Sequence, residues 1–121
     1  MKIIAIDDDR TVRLLVSRCL EKDGHQVITA ESGEEGELLI TQENPDLILL
    51  DVMMPGMSGI ELCAKLKNNP ATKSVPVFML TGKTQEQDIN EALSSGADNY
   101  ILKPFNPLQL NQMIQNKMND L

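Results

Sequence analysis

The sequence is poor in aromatic residues: Phe78, Tyr100 and Phe105 are the only ones among 121, and tryptophan is absent. It is also short of positive charge, with 11 Lys and Arg against 18 Asp and Glu and a formal net charge of −7. Nucleic acid is itself densely negative, so a chain with neither a basic stripe nor a stacking set is a poor binder of it on its own. Long apolar runs are missing too. None approaches the ~20 residues needed to cross a bilayer, and the N-terminus enters a strand-like run with no signal-peptide pattern. The expectation is a soluble, cytoplasmic protein with no membrane partner. The two cysteines, Cys19 and Cys63, match no metal-ligand spacing and fall at apolar helix positions, so buried free thiols in a reducing compartment are expected. The one histidine, His25, begins a strand-like run and is expected to flank it. Neither GxGxxG nor GxxxxGK[ST] occurs, which removes the usual nucleotide-binding loops. No repeat, low-complexity stretch or linker is present, and the length suits one domain over residues 1–121.

What is present is alternation. Apolar runs at Ile3–Ile6, Gln26–Thr29, Leu47–Leu50, Val75–Leu80 and Asn99–Leu102 are separated by longer amphipathic stretches. The first, third and fourth runs are almost continuously apolar, as parallel strands covered on both faces must be. Between them, Val12, Leu15, Val16, Cys19 and Leu20 share one helical face, and Gly24 marks the helix end. Ser32 with Glu35, Ser58 with Glu61, and Thr84 with Gln87 have capping-box spacing. Asn106 and Pro107 supply an N-cap and a first-turn proline for a last helix lined by Leu110, Met113 and Ile114. The pattern predicts an α/β fold: a (βα)5 doubly wound sheet of five parallel strands.

Open α/β sheets bind ligands beyond the carboxyl ends of their strands. Asp7, Asp8 and Asp9 follow the first strand, Asp51 ends the third, Thr81 follows the fourth and Lys103 the fifth. Singly, each has a plain structural explanation: helix cap, turn residue, loop hydroxyl, solvated lysine. Together their chemistry is mutually compatible. Two carboxylates ~5 Å apart repel by roughly 3 kcal/mol at an effective dielectric near 20, and a hard cation such as Mg²⁺ relieves this through oxygen ligands. A carboxylate beside such a cation and a lysine can act as a nucleophile toward phosphorus, and a threonine hydroxyl can donate to a phosphoryl oxygen.

The segments Ile3–Asp9, Leu49–Gly59, Met79–Gly82 and Gly96–Phe105 together resemble the receiver domains of two-component response regulators, a likeness running from about Lys2 to Met118. It implies a flavodoxin-like sheet of order 2-1-3-4-5. It also implies a phosphorylation-activated switch that takes a phosphoryl group from a sensor histidine kinase, a phosphotransfer protein or a small acyl phosphate, and catalyses only its own phosphorylation and dephosphorylation. By the same likeness Asp51 would be the phosphoacceptor. Mg²⁺ would be held by Asp7, Asp8, Asp51 and the Met53 backbone carbonyl, Thr81 and Lys103 would contact the phosphoryl group, and the Lys103–Pro104 peptide would be cis. Tyr100 would be the switch aromatic following Thr81, and a downstream protein would read the face of the fourth helix, fifth strand and fifth helix. The side chain of Met53 and Lys83 would influence how water reaches the acyl phosphate.

The chain departs from the family pattern in places. Gly82 stands where alanine is commoner, Asn99 where many DNA-binding members carry a second Asp, and the last helix has Gln and Asn in place of arginines. Competing functions fit less well. A haloacid-dehalogenase-type phosphatase needs a second Asp at the position of Met53, three aspartates would repel the phosphate of FMN, and degenerate receivers usually lose one of the residues kept here.

Overall fold

Five strands pair in parallel into one sheet in the computed structural model, which describes residues 1–82 and 86–121. In chain order the elements are β1 (Lys2–Ile6), α1 (Arg10–Lys22), β2 (Gln26–Ala30), α2 (Gly33–Glu43), β3 (Leu47–Asp51), α3 (Gly59–Lys67), β4 (Val77–Thr81), α4 (Glu86–Ser94), β5 (Asn99–Leu102) and α5 (Leu110–Asn119). The sheet order is β2-β1-β3-β4-β5, as expected. From β1 the chain steps outward to β2, then crosses back to β3 on the other side. That reversal opens a crevice at the carboxyl ends of β1 and β3.

Alternation along the strands sorts the core into two layers. Ile4, Ile6, Ile48, Leu50, Val77 and Met79 face one way and pack with Ile40 of α2 and Leu62, Cys63 and Leu66 of α3. Ile3, Ala5, Leu47, Leu49, Phe78 and Leu80 face the other, against Val16 and Leu20 of α1 and Leu110 and Ile114 of α5. Each fully buried Leu or Ile contributes about 1.5–3 kcal/mol, so the central strands hold their ends firmly. No described helix is long and apolar enough to cross a membrane.

Most helix ends follow the expected signals. Ser32 accepts from the Glu35 amide and Ser58 from the Glu61 amide, each at 3.2 Å. At the end of α1, Gly24 adopts φ +91°. Its amide donates to Glu21 O at 3.0 Å while that of His25 reaches Leu20 O at 3.1 Å, the paired bonds of a Schellman motif. Lys83 and Thr84, the latter the cap of the expected pair Thr84–Gln87, fall outside the described residues.

Three expectations need correction. The fourth strand begins at Val77 rather than Val75, because Pro76 has no amide to contribute and the Val75 amide turns back to Thr72 O. The last helix is preceded by a 3-10 turn, Pro107–Gln109, with Asn106 Oδ1 capping the Leu108 amide at 3.0 Å. On α1 only Val16 and Leu20 are buried. Leu15 is 39% exposed and Cys19 only half-buried, since the sheet covers a narrower stripe than the sequence pattern spans.

Candidate functional site

The strand ends deliver Asp7, Asp51 and Thr81 to one rim, where all three are buried, and Lys103 joins them from the end of β5. Asp51 is the last residue of β3, pairing in register with Leu80, and the Lys103 amide donates to Thr81 O at 2.7 Å. The peptide from Lys103 to Pro104 is cis. A cleft of about 360 Å³ is lined by Asp7, Asp8, Asp51, Met53, Thr81 and Lys103, among others.

The three consecutive aspartates divide their work. Asp9 is the N-cap of α1, its Oδ1 accepting from the Thr11 amide at 2.8 Å. Asp7 is held on every side: its amide donates to Ala30 O, Oδ1 accepts from the Asp9 amide at 2.9 Å, and Oδ2 receives Lys103 Nζ at 2.7 Å. Asp8 is exposed at the rim. Asp7, Asp8 and Asp51 can each present a carboxylate oxygen within 4.8 Å of the other two.

Burial first, and then crowded negative charge, disfavour the ionised form of Asp51. Burial raises its pKa from 3.8 to about 7, the neighbouring Asp7 adds to the rise, and Lys103 opposes it. Lys103 Nζ lies 3.2 Å from Asp51 Oδ1. Burial disfavours the charged form of this lysine, but its hydrogen bond to Asp7 and the charges of Asp51 and Asp7 outweigh that and raise its pKa. One lysine facing two buried carboxylates leaves unbalanced negative charge. With oxygen donors converging from three side chains, the set fits a hard divalent cation.

Sequence reasoning overlooked Arg13. From α1 its Nη1 donates to the Asp7 carbonyl oxygen at 2.8 Å, while Nη2 lies 3.8 Å from Glu31 Oε2. The side chain is only 17% exposed, so this contact clamps the turn that carries Asp7 and Asp8. The signal was available: Arg13 is four residues after the N-cap Asp9, one turn along, and side chains on a helix lean back toward its N-terminus.

Other candidates lie elsewhere. His25 precedes β2 at the amino ends of the strands, opposite the acidic rim, its ring 3.0 Å from the Met1 amine and 2.8 Å from Asn111 Oδ1. Of the methionines near Asp51, Met54 is buried and Met57 packs against the core, but Met53 is 61% exposed. Tyr100 is half-buried on β5, paired with Met79, two residues before Thr81 on the same face of the sheet.

Comparison with known proteins decides the family. A model described as the response regulator receiver domain matches residues 3–115. The chain belongs to the response regulator receiver family. Phosphorylation-activated switching is the general function of that family, whose members work with histidine kinases and downstream effectors. This receiver is 42% identical over 108 residues to the phosphate regulon transcriptional regulatory protein PhoB of Pseudomonas aeruginosa, covering 89% of this chain and 47% of that protein. It is 41% identical over 114 residues to the alkaline phosphatase synthesis transcriptional regulatory protein PhoP of Bacillus subtilis, covering 94% and 47%. The chain thus spans about half the length of the curated relatives it matches. Among solved structures, the chemotaxis response regulator CheY4 of Vibrio cholerae superposes with a TM-score of 0.91 at 34% identity, covering 96% of this chain and 97% of that one. The BeF3-activated N-terminal receiver domain of Klebsiella pneumoniae RstA gives a TM-score of 0.88 at 32% identity, with 98% coverage of both chains.

Proposed function

We propose that residues 1–121 form a receiver domain that accepts a phosphoryl group on Asp51 in a Mg²⁺-dependent reaction. The observation that carries this is the position of Asp51: buried at the end of β3, within 4.8 Å carboxylate reach of Asp7 and Asp8, and 3.2 Å from Lys103 Nζ. Asp7, Asp8, Asp51 and the Met53 carbonyl would hold the cation, which when bound would neutralise charge on the phosphoryl oxygens.

The residues of the chain supply the rest. A carboxylate oxygen of Asp51 attacks phosphorus as the phosphorus–nitrogen bond of a phosphohistidine, or the phosphorus–oxygen bond of a small acyl phosphate, breaks with its electron pair leaving on the donor. Lys103 meets the phosphoryl oxygens, and the Thr81 hydroxyl donates to one of them. The aspartyl phosphate carries more negative charge than the aspartate it replaces. It draws Thr81 and Lys103 toward it, and Tyr100 follows on the same face of the sheet. The face of α4, β5 and α5 then meets a downstream protein differently. Hydrolysis of the acyl phosphate, at a rate shaped by Met53 and Lys83, resets the switch. The donor is a sensor histidine kinase or a phosphotransfer protein, and the setting is the cytoplasm.

Incubation with acetyl phosphate and Mg²⁺ followed by intact-mass measurement tests this. The expected result is a mass gain of one HPO₃ unit that is lost in Asp51→Asn and on removal of Mg²⁺. An adduct that survives Asp51→Asn overturns the assignment.

A further inference from the structure

Tyr100 is the only tyrosine, in a chain without tryptophan, and it lies on β5, an edge strand of the sheet. Edge strands leave one row of backbone groups unpaired and are often guarded by lysine. Here the guard comes from α5. Lys117, in the last turn of that helix, places its ammonium 5.4 Å from the centroid of the Tyr100 ring. It also lies 3.4 Å from Asn99 Oδ1, and the same oxygen accepts from the Tyr100 amide at 2.9 Å. No carboxylate among the described residues forms an ion pair with Lys117. Its ammonium is therefore shared between a neutral amide oxygen and the face of the ring, and a cation within about 6 Å of a ring centroid is attracted to it.

We propose that Lys117 is a positioning residue for Tyr100: it holds the ring in the orientation of the resting receiver and so sets part of the cost of switching. This rests on Tyr100 being the aromatic that follows Thr81. The ring packs against the core layer that contains Met79, and Met79 is its partner across the β4–β5 pair. Movement toward Thr81 takes the ring along that face and away from an ammonium anchored on α5. The cation–ring attraction is then lost on activation only. A contact present in one of two states shifts their equilibrium by its full strength, and the reciprocal effect falls on any ligand that favours the other state. Simple shielding of the strand edge would not discriminate between the two ring orientations.

Two substitutions separate these roles. Lys117→Met keeps the length and removes the charge, and Lys117→Arg keeps a cation that can stack on the ring. Tyrosine emission from the full chain reports on Tyr100 alone, and titration with beryllofluoride and Mg²⁺ reports the cost of activation. Lys117→Met is expected to change the emission and acrylamide quenching of the resting protein and to tighten beryllofluoride binding about two- to fivefold, as a partly exposed cation–ring contact would. Lys117→Arg is expected to behave as the parent in both. Unchanged emission and affinity in Lys117→Met, or equal changes in both variants, would overturn the proposal. If the parent protein gains no mass from acetyl phosphate, the switch beneath the proposal fails, and the resting emission of the two variants still decides whether Lys117 positions the ring.

Discussion

Lys103 Nζ bridges two buried carboxylates, 2.7 Å from Asp7 Oδ2 and 3.2 Å from Asp51 Oδ1. The shorter contact is to Asp7, which has no proposed covalent role. The lysine is therefore tethered by one aspartate while it faces the other. Replacing it with methionine removes the cation that lowers the Asp51 pKa and the group proposed to meet the phosphoryl oxygens. Lys103→Met is expected to slow phosphorylation by acetyl phosphate by about 10²–10³, the usual cost of removing a preorganised electrostatic partner. A rate within a fewfold of the parent would show that Lys103 has no part in the reaction.

The raised pKa of Asp51 has a consequence for stability. Without a cation, the folded protein keeps a proton on Asp51 up to pH about 7, while the unfolded chain loses it near 3.8. Folded protein then binds more protons than unfolded, so stability falls as pH rises through this window and levels off above it. In EDTA, Asp51→Asn should melt higher than the parent at pH 8, with the gap closing toward pH 4. Added Mg²⁺ should raise the melting temperature of the parent more than that of the variant. A gap independent of pH would contradict the assigned titration.

Arg13 tests whether the β1–α1 turn must be held from behind. Its hydrogen bond to the Asp7 carbonyl supports a residue proposed to bind the cation, and loss of such support typically costs 10- to 100-fold in metal affinity. Calorimetric titration with Mg²⁺ should show Arg13→Ala weakened by about tenfold. Equal affinity would mean that the turn is held well enough by Asp9 and Ala30.

Gly59 opens α3 directly beside Asp51, the proposed phosphoacceptor. A methyl group there would fall on the carbonyl oxygen of Asp51 and within 3.0 Å of Val52 Cα. These are backbone atoms of the strand end and cannot rotate aside. Gly59→Ala should destabilise the fold by about 1–3 kcal/mol and displace Asp51, seen as a lower urea midpoint together with slower phosphorylation. A stable variant with an intact rate would show that α3 shifts without moving Asp51.

The fold was readable from residues whose pattern is local. The continuous apolar runs of β1, β3 and β4 mark the three central strands, and Ser32, Ser58 and Gly24 mark helix ends through bonds made within a few residues. The set Asp7, Asp8, Asp51, Thr81 and Lys103 was readable because strand ends in this topology share one rim. Contacts made across elements were not readable. Nothing in the pattern separates Asp9 as the cap from Asp7 and Asp8, shows Leu15 partly uncovered, or brings Lys117 from α5 around the sheet edge to Tyr100. Those depend on how far each helix overlaps the sheet, which side-chain spacing does not encode.

The residue to which the phosphoryl group is attached decides the role proposed for Asp51. After reaction with acetyl phosphate and Mg²⁺, borohydride reduces an acyl phosphate to the alcohol, converting the modified aspartate to homoserine. Peptide mass mapping should find homoserine at position 51, with Asp7, Asp8 and Asp9 unchanged. Homoserine at one of those three positions, or none at 51 in protein that had gained the HPO₃ mass, would contradict the central claim.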